Sequence, residues 1–255
     1  MSQTLQCGNT LDVCSVNLSI YINEVMSSLR SVGLRKTLGH IFGTLADYRF
    51  DRKYGIDTAG WIPISDLVVL GSNSEYGENY QPSRVAPLRR VLRQLDIPRD
   101  NTFIDIGSGK GRALIIAMEH GFTRVKGIEF AGDLCEIARA NTERARGALR
   151  TEARPEILHS DVVDYAIQDD DTVFYLFNPF DATVMQSVAN AIAESHARTP
   201  RDLWVIYFNP LQRQVFEESG IDYETILDLE ISGCRFIVFK ATGDRQAALT
   251  ETRAG

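Results

Sequence analysis

Thr102-Phe103-Ile104-Asp105-Ile106-Gly107-Ser108-Gly109-Lys110-Gly111-Arg112-Ala113-Leu114 is the stretch on which the fold turns. It opens with a short β-branched and aromatic run and passes through a glycine turn. It then continues through Ile115, Ile116 and Met118 with helical periodicity. That is a strand feeding a helix through a loop that only glycines allow. Gly107, Gly109 and Gly111, in alternate positions, let the backbone turn sharply and come close to a ligand with no Cβ in the way. The next apolar run, Val125-Lys126-Gly127-Ile128-Glu129, ends in an acid roughly 20 residues further on, where a carboxylate can take ribose hydroxyls. Glycine loop and acid together predict nucleoside binding on an open α/β sheet.

Which nucleoside depends on spacing. The dinucleotide fingerprint is G-x-G-x-x-G/A, but here Arg112 stands where the third small residue belongs and the glycines run G-x-G-x-G. Asp105 also sits two residues before the first glycine, where a carboxylate repels a pyrophosphate and suits the ammonium of an amino acid. The run Asp105 to Gly111 with Glu129 resembles motifs I and II of the class I S-adenosylmethionine-dependent methyltransferases. The resemblance implies a Rossmann-like, mostly parallel seven-stranded sheet of order 3-2-1-4-5-7-6 with the last strand antiparallel. It also implies S-adenosyl-L-methionine as cofactor, with Asp105, Gly107, Gly109, Gly111 and Glu129 among its binding residues.

Two further strings narrow the resemblance. Glu75-Tyr76-Gly77-Glu78, followed by a helix and then the glycine loop, looks like the approach to motif I in the seven-strand (non-SET) histone-lysine methyltransferases. A Tyr-x-Pro-Ser string, here Tyr80 to Ser83, is similar to one preceding motif I in related protein-lysine methyltransferases. In those families this loop lies over the methionine end of the cofactor, which implies binding roles for Tyr76, Glu78, Tyr80 and Ser83. The same resemblance places Asp161 on the adenine amino group, with Val162 and Phe130 against the ring. Ordinary loop anchoring for the tyrosines and turn formation for Asp161 are the plain alternatives. The likeness covers Glu75 to Phe180 and is carried by short motifs.

Thr172 to Phe177 is a continuous apolar run, as in a buried central strand, and it ends in Asn178-Pro179-Phe180. Ligands of open α/β sheets bind at the carboxyl ends of strands, so Asn178 is expected to face the reaction centre. The string resembles motif IV of N-methyltransferases, written N/D-P-P-Y/F, but lacks the second proline, which weakens a base-methylating assignment. It implies Asn178, Pro179 and Phe180 as catalytic residues, with Asn178 also touching the cofactor. A strand-terminating Asn-Pro turn is the competing structural reading.

The remaining chain sets bounds. Its 255 residues, 44% hydrophobic and 24% charged, suit one packed domain or one domain with a cap. A net charge of −7 argues against a dedicated nucleic-acid binder. Cys7, Cys14, Cys135 and Cys234 show no C-x-x-C pairing, and no His/Cys spacing suited to a metal is found. With no apparent export signal or membrane-length apolar run, a cytoplasmic location is expected.

Residues 1–16 read as a flexible N-terminus and 17–98 as a helical cap with cofactor-covering loops. Residues 99–241 read as the methyltransferase core and 242–255 as a flexible tail. Within the cap, Asn17 to Tyr48 shows helical periodicity divided at Gly33, and Phe50 to Gly60 reads as binding loop. Ser83 is the expected cap of a helix from Val85 to Leu95. Asp181 starts a helix to Ala197, Asp202 to Phe208 is another buried strand ending in Asn209-Pro210, and Tyr223 to Lys240 is a hairpin around Ser232-Gly233.

Four readings follow. The first is methyl transfer to an amine nitrogen such as a protein lysine. Next are methylation of a small metabolite and a non-catalytic cofactor-binding module. A nicotinamide dehydrogenase comes last, opposed by Arg112 and Asp105. The expected partner is a protein or small-molecule methyl acceptor, and the oligomeric state is left open.

Overall fold

The computed structural model describes residues 34–63, 65, 67, 80–177 and 180–243. The chain divides into two compact units, 1–42 and 43–255. Of the first, residues 34–42 are described, as the opening turns of helix α1 (Leu34–Tyr54). The helix expected between Asn17 and Gly33 lies outside the described residues.

The second unit is built on a seven-stranded sheet. In chain order α2 (Val85–Gln94) leads into β1 (Thr102–Ile106), α3 (Arg112–Glu119), β2 (Arg124–Glu129), α4 (Gly132–Leu149) and β3 (Arg154–His159). A single 3-10 turn (Val162–Asp164) then precedes β4 (Asp171–Phe177), α5 (Ala182–Arg198), β5 (Leu203–Phe208), α6 (Gln214–Glu217), β6 (Glu224–Ile231) and β7 (Cys234–Ala241). The spatial order is β3-β2-β1-β4-β5-β7-β6. The β1–β2, β1–β4, β2–β3 and β4–β5 pairs are parallel, and β7 runs antiparallel to both neighbours. The Rossmann-like sheet expected from the glycine loop is therefore the one observed. The chain winds outward from β1 through β2 to β3, then crosses back to β4, so the order reverses at β1/β4. Ligands of such sheets bind at that switch point.

Alternation along the central strands sends side chains to both faces. Phe103 and Tyr175 join one buried cluster with Val91, Leu92, Leu114 and Ile115 of α2 and α3. Ile104, Ile106, Phe174 and Leu176 join another with Val184, Met185, Val188 and Ile192 of α5. Because β1, β4 and β5 are covered on both faces, they read as largely apolar runs, interrupted in β1 by Asp105. The β6–β7 hairpin turns on Ser232 and Gly233 at φ 53° and 79°, the pair of left-handed residues a tight two-residue hairpin demands.

Two local expectations are corrected. Helix α1 continues to Tyr54, six residues beyond Tyr48, because Phe50 and Tyr54 are core residues at helical spacing, 2% and 5% exposed. Gly55, at φ +64°, then ends the helix. Ser83 does not cap α2. The Val85 amide donates instead to Asp47 Oδ1 at 3.1 Å, so a carboxylate on α1 fills the capping role, while Ser83 Oγ bonds Tyr175 Oη at 2.8 Å.

Candidate active site

At the carboxyl end of β1 the chain turns through Gly107, Gly109 and Gly111, all at positive φ (77°, 52° and 83°). The Gly107 and Ser108 amides donate to the Ile128 carbonyl of β2 at 2.9 and 3.0 Å, which folds the loop back over the sheet edge. The Glu129 carboxylate takes one backbone donor on each oxygen, Gly109 N–H at 2.8 Å and Ala131 N–H at 2.9 Å. The lone-pair directions that the neighbouring amides do not take are left toward a ligand. Burial raises the Glu129 pKa, and the amides of Ala131, Gly109 and Phe130 oppose the rise. Asp105, on the same side of the loop, is held well above the usual carboxylate range by burial first and by Glu129 second.

These groups open onto a cleft of about 360 Å³. Asp105, Gly107, Gly109 and Glu129 line its floor, Tyr80, Ser83 and Phe130 flank it, and Phe177, Phe180, Asn209, Leu211 and Trp61 complete the wall. Its volume falls within the range of small-molecule sites. Gly111 is spaced differently: a Cβ there would lie 3.3 Å from Ala138 Cβ and Thr142 Cγ2, so this glycine serves the approach of α3 to α4. Asp161 and Val162 lie outside this lining. Asp161 accepts from the Val163 amide at 3.2 Å and so opens the 3-10 turn after β3. Tyr76, Glu78, Asn178 and Pro179 lie outside the described residues.

Behind the glycine loop stands a buried network that the sequence reading passes over. Arg112, 2% exposed, donates Nε to Thr58 Oγ1 at 2.7 Å and Nη1 to the Ser83 carbonyl at 3.2 Å. It also pairs with Asp47 at 3.4 Å and Asp51 at 3.5 Å. Asp51 further accepts from the Thr58 and Ala59 amides, each at 2.7 Å. Lys110 reaches Asp57 at 3.1 Å, and Asn141 of α4 donates to the carbonyls of Asp57 and Lys110 at 2.8 and 3.1 Å.

One guanidinium thus ties the end of α1, the 57–59 segment and the approach to α2 to the first turn of α3. The sequence holds a signal for it. An arginine at the start of a buried helix demands counter-charge, and Asp47 and Asp51 stand four apart, on one face of α1.

Tyr80 completes the arrangement. Its hydroxyl donates to the Thr58 carbonyl at 2.7 Å, and its backbone bridges Ile62 through two hydrogen bonds of 2.9 and 3.2 Å. Its ring covers Gly109 so closely that a Cβ there would sit 2.3 Å from Tyr80 Cε2.

The fit to an S-adenosyl nucleoside rests on donor chemistry. Glu129 offers paired acceptors for vicinal hydroxyls, Gly107 lines the cleft with no Cβ to hold a ligand off, and Asp105 presents a carboxyl to an α-ammonium. Ser108 Oγ is buried beneath the loop with no hydrogen-bond partner among the described residues.

Comparison with known proteins agrees. The RNA methyltransferase from Salinibacter ruber, solved with S-adenosyl-L-homocysteine, aligns at TM-score 0.50 and 22% identity over 64% of this chain and 94% of its own. The S-adenosylmethionine-dependent methyltransferase SibL, solved in its apo form, aligns at TM-score 0.50 and 10% identity over 89% of this chain and 75% of its own. At these identities the likeness is one of fold. No curated protein matches the sequence. The family model described as "Histone methylation protein DOT1" matches residues 69–200, just over half of the chain, and takes in the glycine loop, Glu129 and the Asn178-Pro179-Phe180 string. The chain belongs to the DOT1 histone methylation protein family and is an S-adenosylmethionine-dependent methyltransferase.

Proposed function

We propose that the enzyme methylates an amine nitrogen, with a protein lysine side chain as the preferred acceptor. The observation that carries this reading is the charge of the cleft. Among the described residues that line it, the acidic and basic side chains are Asp105, Glu129 and Arg112, and Arg112 is engaged by Asp47, Asp51, Thr58 and Ser83. A phosphate-bearing acceptor therefore meets no available cation there, which favours an uncharged or amine-bearing acceptor. Membership of the DOT1 family supports the same acceptor class.

S-adenosylmethionine supplies a methyl group already activated on a sulfonium, so the protein's task is alignment and exclusion of water. In this proposal Glu129 holds the ribose, while Asp105 and the glycine loop hold the amino-acid end. An acceptor lysine, with a reference pKa of about 10.4, must lose a proton, which a desolvated channel favours. The Asn178 side-chain carbonyl and the Pro179 backbone carbonyl are proposed to hold the remaining amine hydrogens and so direct the lone pair. Phe180, buried at the cleft wall, and Tyr76 would tolerate cationic character by cation–π contact. Asp181 has a structural duty, since it accepts from the Thr183 and Val184 amides at 2.9 and 3.0 Å as the N-cap of α5.

The test is methyl transfer from radiolabelled S-adenosylmethionine into host-cell lysate separated into protein, nucleic-acid and small-molecule fractions, with Asn178→Ala alongside. Label in protein that drops about 100-fold in the variant, at unchanged S-adenosylhomocysteine affinity, is the expected result. Label confined to small molecules would transfer the acceptor assignment to a metabolite. Equal loss of turnover and cofactor affinity would remove the role given to Asn178.

A further inference from the structure

We infer that Asn209, with Trp61 and Leu211 as apolar walls, forms the acceptor subsite of the cleft, and that it takes a hydrogen-bearing nitrogen carried on an apolar stem. The inference rests on the proposed amine methylation and assigns it residues that neither the family resemblance nor motif IV supplies. β4 and β5 run parallel in register to the pair Phe177–Phe208, whose rings stack at 4.1 Å, and Phe208 stacks in turn on Phe236 at 4.6 Å. The end of β5 is thus held from both sides. The next residue, Asn209, has φ +51°, a conformation that most side chains avoid and asparagine tolerates best.

The backbone around Asn209 is fixed without its side chain. Its amide donates to the Arg235 carbonyl at 2.8 Å, its carbonyl accepts from Leu211 N–H at 2.8 Å, and Gln212 N–H donates to Tyr207 Oη at 3.3 Å. The Asn209 carboxamide is exposed, lines the cleft with Asp105 and Glu129, and makes no hydrogen bond to any described residue. A strained residue on a rigid base, with an unengaged polar side chain at the carboxyl end of a parallel strand, is placed to meet a ligand.

Trp61 and Leu211 line the same cleft, yet each is 61% exposed. These are large apolar groups at the mouth of a reaction site, brought there by segments far apart in sequence, and they gain burial when a stem of methylenes or a ring lies along them. The carboxamide oxygen then accepts one hydrogen of the arriving ammonium, whose third proton leaves to solvent before the two remaining hydrogens pass to Asn178 and Pro179.

The test is Asn209→Gly, which keeps the left-handed backbone and removes the amide. Transfer of radiolabel from S-adenosylmethionine into fractionated host-cell lysate is measured beside S-adenosylhomocysteine affinity by calorimetry. Labelling should fall at least tenfold, with homocysteine-analogue affinity within twofold and the urea midpoint unchanged or raised. Trp61→Ala should raise the lysate concentration needed for half-maximal labelling with the same affinity retained. Undiminished labelling by Asn209→Gly, or a parallel loss of S-adenosylhomocysteine binding, overturns the subsite. The two claims fail separately. If wild-type label enters only small molecules and Asn209→Gly abolishes it, the protein-lysine reading falls and the subsite stands. If protein labelling survives in the variant, the reading stands and the subsite falls.

Discussion

Replacing Arg112 by Met tests whether the network behind the glycine loop holds the site together. Methionine fills much of the same volume without charge, so the change isolates the guanidinium. Three groups lose a partner: Thr58 Oγ1, the Ser83 carbonyl, and the buried Asp47 and Asp51 carboxylates, taken as one acidic pair. Removing one member of a buried ion pair costs about 3–5 kcal/mol. The loss here falls at the lower end, because Asp51 keeps the Thr58 and Ala59 amides and Asp47 keeps Arg84 at 3.1 Å and the Val85 amide. About 3 kcal/mol is the expected cost, or roughly 6–12 °C in Tm for a chain of this size. Urea denaturation should show a lower midpoint with the slope unchanged. S-adenosylhomocysteine affinity should fall as well, because Tyr80, whose ring covers Gly109, is tied to α3 through Thr58 and this guanidinium. A loss below 1 kcal/mol, or full retention of affinity in a destabilised variant, refutes the reasoning.

Two further substitutions address the cleft floor. Asp105 has a folded pKa raised by burial, so its contribution to stability is complete below the ordinary aspartate value of about 3.9 and is lost as pH rises through the folded value. Asp105→Asn should therefore stabilise the ligand-free protein by about 1–3 kcal/mol at pH 8 and progressively less toward pH 4, while weakening S-adenosylhomocysteine binding. Lower stability than wild type at pH 8 would contradict this. Gly109→Ala should cost about 2–5 kcal/mol, since a Cβ would meet Tyr80 Cε2 at 2.3 Å and the backbone stands at φ +52°. Tyr80→Ala added to it should recover the steric part and leave about 1–2 kcal/mol of backbone strain. Additive costs in the double variant would show that the two residues are not in contact.

Most of the core was legible because its signals are local. A glycine loop between an apolar run and a helical period marks a strand–helix turn, central strands covered on both faces are largely apolar, and Ser232-Gly233 between two strand-like runs marks a hairpin. The errors arose where distant contacts decide. Tyr54 and its charged neighbours look like loop in sequence, and only the packing of Phe50 and Tyr54 makes the stretch helical. Ser83 has the composition of a cap, but Asp47, 38 residues earlier, reaches the Val85 amide instead.

The same division explains why the reaction could be read from sequence more sharply than the acceptor. The donor half as proposed is contributed by one strand–loop–helix unit and the acid at the end of the next strand, so fixed spacings encode it. In the proposed reading the acceptor half draws on residue 61, on Phe177 and Phe180, and on Asn209 and Leu211, cleft-lining residues that come together only once β4 and β5 lie side by side. No fixed spacing links Trp61, the Phe177–Phe180 string and Asn209 to one another. The exposed side chains of Trp61, Asn209 and Leu211 touch the core least, so the proposal makes acceptor choice separable from donor binding. Substitutions at Trp61, Asn209 and Leu211 should therefore change what is methylated while S-adenosylhomocysteine binding stays constant, whereas substitutions at Glu129 should weaken donor binding whichever acceptor is used.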